Sequence, residues 1–301
     1  MKFKKKSEES QNQEVYEQDL TQQENPGGVF IMKLLFREPV GIPEKEHMAA
    51  IMEKHMGEME CFWYNEKGAG LAAKKYLSQF KDAALPPQVM ITPCTEFNEN
   101  EIDGFHRGQM WDCREDCDRI LSECGYQVIV TDMMAAGLTP KERAQLDMDL
   151  MEAAAALYPS CEAIYFCNSG KLFTAQTIRE HQIPAHDRFI KFAVNVRFFN
   201  IQGTEDMLVD TLGMGTLWLP DLQYHFHGMD PNWVVNHAYC IASYLLSEDN
   251  PIEPGDTVDG VAQGRIDGGM RWKCQYEDAL IQPVREVIDI NMNEYASGRR
   301  A

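Results

Sequence analysis

Positive charge is scarce in this sequence. Lys and Arg total 28 against 47 Asp and Glu, for a net charge of −19. Such a balance repels phosphate backbones and argues against a nucleic-acid partner, while it suits a basic protein partner. The one basic cluster, Lys2 and Lys4–Lys6, stands in a polar stretch. Long apolar runs are also missing. Nothing approaches the ~18 residues of a membrane span, and no apolar segment follows the N-terminal lysines as an export signal requires. A membrane partner is therefore not expected. No GxGxxG, GxxxxGK[ST] or GxSxG pattern occurs, which removes the usual grounds for a nucleotide cradle or a nucleophile elbow. The acidic loop with Asp256, Asp259 and Asp267 lacks the tight oxygen spacing of an EF-hand. Cysteines are odd in number, nine, and scattered. Without an export signal they read as reduced thiols in a cytoplasm.

What remains is the composition of a globular chain, 301 residues long and 44% hydrophobic. Residues 1–27 are rich in Gln, Glu and Ser and read as a disordered tail. Val29–Phe36 is β-rich. Pro43 opens a helix over residues 44–56, with Met48, Ile51, Met52, His55 and Met56 on one face. Strands follow over residues 60–64, 70–80 and 88–93. Residues 101–124 suggest one long helix whose Cys113, Cys117 and Cys124 share a face with Met110, Ile120 and Leu121. His106 joins that stripe, but buried thiols among apolar neighbours read as core rather than as a metal site. Tyr126–Asp132 reads as a strand buried on both faces. Thr139, Pro140 and Glu142 form a capping-box start for a helix to about Leu157, and Cys161–Cys167 reads as a strand.

Two stretches, residues 29–56 and 126–154, echo each other: apolar strand, short loop, Pro, Lys-Glu, Met-bearing helix. The echo suggests an α+β fold of mixed sheets flanked by helices, with duplicated ferredoxin-like βαβ units. An N-terminal α+β portion would cover residues 28–190 and a C-terminal α+β unit residues 191–292, leaving residues 293–301 frayed. In that second unit, residues 192–201 and 207–212 read as a hairpin and Asp230-Pro231 as a helix start running to Ser247. Residues 251–269 read as a loop or short strand pair, and residues 271–280 and 283–291 as strands.

The richest segment, residues 205–231, ends in His225-Phe226-His227. On an extended chain these two imidazoles share a face and could grip a divalent metal, with His237 as a third ligand and Asp221 or Asp210 completing the set. The bland alternative is a surface pair flanking a buried Phe226. Arg197, Asp210, Asp221 and Arg285 flank apolar strands, so they form either an ion-pair network or a polar pocket, with Trp218 and Trp272 as its walls or as core filling.

Several separated motifs carry a resemblance. They are Asn195-Val196-Arg197-Phe198, Asp210-Thr211-Leu212-Gly213-Met214, Leu219-Pro220-Asp221-Leu222-Gln223, Gly255 to Gly260, Trp272-Lys273-Cys274 and Pro283 to Val287. From about Val194 onward the chain resembles the bacterial family known as domain of unknown function 4261, and residues 165–171 resemble sequence upstream of that domain. The resemblance implies a fold unit and assigns no reaction, cofactor or catalytic residue. The sequence therefore points to a cytoplasmic binding protein, one form being an immunity-type inhibitor of a basic partner. Its competitor is a metal- or carboxylate-dependent enzyme centred on His225-Phe226-His227.

Overall fold

A computed structural model describes residues 28–298, together with two short strands, β1 (Lys4–Lys6) and β2 (Val15–Glu17), which pair antiparallel. The tail expected over residues 1–27 otherwise lies outside the described residues, as do residues 299–301. The fold is α+β, and it divides into two compact units at Asn195/Val196.

The first unit carries β3 (Ile31–Phe36), α1 (Lys45–Met56), β4 (Met59–Asn65), β5 (Gly68–Ala73), β6 (Ser78–Gln79), β7 (Ala84–Leu85), β8 (Gln88–Ile91) and β9 (Thr95–Glu96). It continues with α2 (Gly104–Arg107), α3 (Cys117–Glu123), β10 (Tyr126–Met133), α4 (Pro140–Leu157), β11 (Ala163–Phe166), β12 (Lys171–Thr174), α5 (Ala175–Glu180) and α6 (Arg188–Ala193). Its main sheet runs β12-β11-β3-β10-β8-β5-β4, with β9 beside β10, and every pairing is antiparallel. The two echoing strand–helix–strand stretches share this sheet, β3 against β10, and α1 packs on α4. The duplication thus resolves into two crossovers within one sheet.

The capping box at α4 forms as expected: Thr139 accepts from the Glu142 N–H while the Glu142 carboxylate accepts from the Thr139 N–H. The long helix expected over residues 101–124 does not form. Asp103 caps a new turn by accepting from the His106 N–H, and Gly108 ends it. Arg107 then binds the Glu99 and Ile102 carbonyls, fixing the preceding turn in place. The three cysteines still face one apolar cluster with Met110, Ile120 and Leu121. Burial pushes the Cys113 thiol up to about 12 and those of Cys117 and Cys124 to about 11, so they behave as small hydrophobes. His106 instead meets Asp103 at 2.7 Å.

The second unit carries β13 (Asn195–Asn200), β14 (Met207–Leu212), β15 (Asp221–Phe226), α7 (Pro231–Glu248), β16 (Thr257–Ala262), β17 (Arg265–Asp278) and β18 (Glu286–Asn291). Its mixed sheet runs β13-β14-β15-β18-β17-β16, with β15 and β18 parallel. The stretch read as a loop or short strand pair is a long hairpin. Gln263 and Gly264 both take positive φ, the geometry that reverses a chain between paired strands in two residues. Asp230 caps α7 at the Asn232 N–H, with Pro231 in the first turn. Among the described residues, no helix is long and apolar enough to cross a membrane.

One ion cluster in the first unit is unbalanced. Asp132 accepts from Arg143 Nη2 at 2.7 Å and from the Phe30 N–H at 2.6 Å. Asp147 is fully buried beside them, 4.0 Å from Arg143 Nε, and neither of its oxygens has a hydrogen-bond partner. Burial first, and the neighbouring Asp132 second, push its carboxyl well above the usual range. The folded protein therefore keeps a proton there that the unfolded chain releases, so stability falls as pH rises past the ordinary carboxylate value. Asp147→Asn should raise the urea unfolding free energy at pH 7 by on the order of 1–3 kcal/mol. That gain should fade toward pH 4; an equal gain at both pH values would contradict the assignment.

Candidate functional site

The sheet of the second unit has two unlike faces, and strand register sets them. Leu222, Tyr224 and Phe226 of β15 share a face with Val209, Ile288 and Trp272, all buried, and α7 packs on β14, β15 and β16. The alternate residues Asp221 and Gln223 stand with Asp210 and Asp289 on the opposite face, and these too are buried.

On that polar face the four charged residues singled out from sequence do meet. Arg197 Nε and Nη2 donate to the two oxygens of Asp210 at 2.8 and 2.5 Å. Arg285 Nη2 donates to Asp210 Oδ2 at 2.7 Å while its Nε donates to Asp221 Oδ2 at 3.0 Å. Asp221 Oδ1 accepts from Thr211 Oγ1 at 2.8 Å and from the Met214 N–H at 3.2 Å. The remaining guanidinium protons reach carbonyls: Arg197 Nη1 that of Gln282, Arg285 those of Thr211, Ile281 and Pro283. Burial pushes the Asp221 carboxyl up, and the pull of Arg285, Thr211 and Met214 opposes it. Arg285 is held charged by both aspartates. Two guanidinium groups and two carboxylates thus bond one another, and the arrangement is an ion-pair network rather than an open pocket.

Two members of this face were not anticipated. Gln223 Nε2 donates to Asp289 Oδ1 at 3.2 Å, and Gln223 Oε1 accepts from the Leu280 N–H at 2.7 Å. The signal was available as polar residues at every second position in Asp221–Phe226 and, in β18, as Asp289 and Asn291 two apart. Trp218 is not a wall of this network: it is 64% exposed.

The histidines do not assemble into the expected metal set. His237 lies on the α7 side, where Nδ1 meets Tyr224 Oη at 2.9 Å and Nε2 meets the Asp259 carbonyl at 2.8 Å. Burial lowers its pKa, so it is a neutral core histidine with both nitrogens engaged. Tyr224 and His225 point to opposite faces, which puts the sheet between His237 and His225. Asp221 shares a face with His225 but is four residues away, about 13 Å along the strand. Among the described residues no three His, Cys, Asp or Glu side chains are placed to share a metal.

His225 and His227 instead hold the C-terminal segment. The His227 N–H donates to the Tyr295 carbonyl and the Ser297 N–H to the His225 carbonyl, both at 2.9 Å. His227 Nδ1 meets Ser297 Oγ at 3.0 Å, Ser297 Oγ donates to Asp206 at 2.9 Å, and His225 lies 3.6 Å from Asp206. Residues 293–298, expected to fray, are therefore docked, because they extend β15 by a short antiparallel pairing.

Residues 210–291 match the family model described as Domain of unknown function (DUF4261). The match begins at Asp210 and takes in Asp221, Gln223, Arg285 and Asp289, so most of the network lies within it. No curated protein and no solved structure matches the chain.

Two outcomes follow. Arg285→Met leaves Asp210 and Asp221 without their shared cation and should cost about 3–5 kcal/mol in urea denaturation, whereas a loss under about 1 kcal/mol would mean the network is dispensable. The double variant His225→Ala/His227→Ala should speed hydrogen exchange at the Ser297 amide while the α7 amides stay protected; unchanged exchange at Ser297 would remove the docking role.

Proposed function

We propose that this chain is a binding protein without catalytic activity of its own, acting in a bacterial cytoplasm on a basic protein partner. One observation carries the reading: the charged side chains expected from the sequence to form a network or a polar pocket, Arg197, Asp210, Asp221 and Arg285, are paired with one another beneath the surface. Groups so engaged are poorly placed to bind a substrate or to move a proton. The net charge of −19 favours a cationic partner by steering and by complementarity. An immunity-type inhibitor that neutralises a basic toxin is one protein of this kind. The competing enzyme reading needs His225, His227 and Asp221 to converge, and the strand geometry sets Asp221 apart from the two histidines. Affinity capture with the full chain at low salt should recover a basic protein that is released near 1 M salt, where the screening length falls to about 3 Å. Recovery of no protein, or of one held regardless of salt, would count against the proposal.

A further inference from the structure

Two connections emerge together at one end of the second unit's sheet. Residues 213–220 join β14 to β15 and residues 279–285 join β17 to β18; β15 and β18 are adjacent and parallel, so both connections reach the same end. The network fastens both from below. The Met214 N–H bonds Asp221, the Leu280 N–H bonds Gln223, and Arg285 grips the Ile281 and Pro283 carbonyls.

What these connections carry on their outer side is costly to the isolated protein. Met214, Thr216 and Leu217 turn inward and are buried, leaving Trp218 64% exposed. Trp218 also takes the left-handed backbone conformation, at φ 60°, which bulky residues seldom adopt and glycine adopts freely. Leu280, in the other connection, is 47% exposed. Beside it Asp278 and Glu286 stand directly opposite in the β17–β18 register, both exposed, a like-charge pairing that weakens a sheet. Arg285 is the one basic residue of residues 213–220 and 277–286, and it is buried in the network. The exposed charge of these two segments is therefore all acidic, and they also carry two exposed apolar side chains. An aromatic anchor with a charged rim is the anatomy of a recognition site.

We propose that residues 213–220 and 278–286 form the docking face for a basic protein. Trp218 and Leu280 receive an apolar side chain, and Asp278 and Glu286 pair with flanking Lys or Arg. This assignment rests on the binding reading above and adds the place and the chemistry of contact.

The test uses the full chain as bait in a native lysate, then measures the affinity of whatever protein is recovered for three variants. Trp218→Gly/Leu280→Ser should weaken binding at least about tenfold while the melting temperature holds or rises, since glycine suits the left-handed position. Asp278→Lys/Glu286→Lys should weaken it comparably and remove its salt dependence. Tyr244→Ser, at a 44% exposed position on α7, should bind as the parent does. A basic partner bound equally by all three variants would overturn this docking face and leave the binding reading standing. Recovery of an acidic partner, or of a second copy of this chain, would overturn the stated partner chemistry. Recovery of nothing would overturn both readings.

Discussion

Arg285 bridging Asp210 and Asp221 is the contact on which the second unit depends. One guanidinium joins the carboxylates of two neighbouring strands and, through its remaining protons, the carbonyls of Thr211, Ile281 and Pro283. Arg197 closes the far side of Asp210 and reaches the Gln282 carbonyl. Each charge loses hydration on burial, a cost of several kcal/mol per ion before compensation. Complete pairing offsets that cost, so the members stand or fall together. A network of this kind adds little net stability over a well-packed apolar face. It does fix geometry: the bonds are directional, and a slipped register would strand charges in the interior.

The sheet register explains how one short strand serves both sides. In Asp221–Phe226 the even-numbered residues build the apolar layer under α7, and the odd-numbered ones build the charged layer. His237 belongs to the first layer, its imidazole held neutral between Tyr224 and the Asp259 carbonyl. His225 belongs to the second layer and meets Asp206 with the docked C-terminal segment. The histidines thus serve packing and hydrogen bonding on opposite faces, and the charged layer holds the pair of connections. There the fold tolerates a left-handed Trp and opposed carboxylates, features that a packing role does not account for.

Local signals were legible wherever a local rule decides the outcome. Thr139-Pro140-Lys141-Glu142 announces α4 by its reciprocal cap, and Asp230-Pro231 announces α7, because both act within four residues. The ion-pair option for Arg197, Asp210, Asp221 and Arg285 was readable too, since charges flanking apolar strands must find partners. Which partner each would find was not, because Arg285 lies 64 residues from Asp221. The helix expected over residues 101–124 failed because Asp103, Gly104 and Gly108 offer a competing cap and break that outweigh periodicity. The hairpin of β16 and β17 was obscured by its Gly and Asp content, which usually marks loops but here supplies the positive-φ turn at Gln263-Gly264. The metal trio failed on the period-two rule itself: Tyr224, adjacent to His225, is the residue that meets His237.

One buried network holds both connections, so a change at a member that bonds neither reporter amide should loosen both. Asp210 bonds neither the Met214 amide, which is held by Asp221, nor the Ala279 amide, which is held by the Arg285 carbonyl. Native-state hydrogen exchange on Asp210→Asn measures the coupling directly. The Met214 and Ala279 amides should lose protection together, by similar factors, while amides of the first-unit sheet keep theirs. Loss confined to β13 and β14, with both connections still protected, would contradict it.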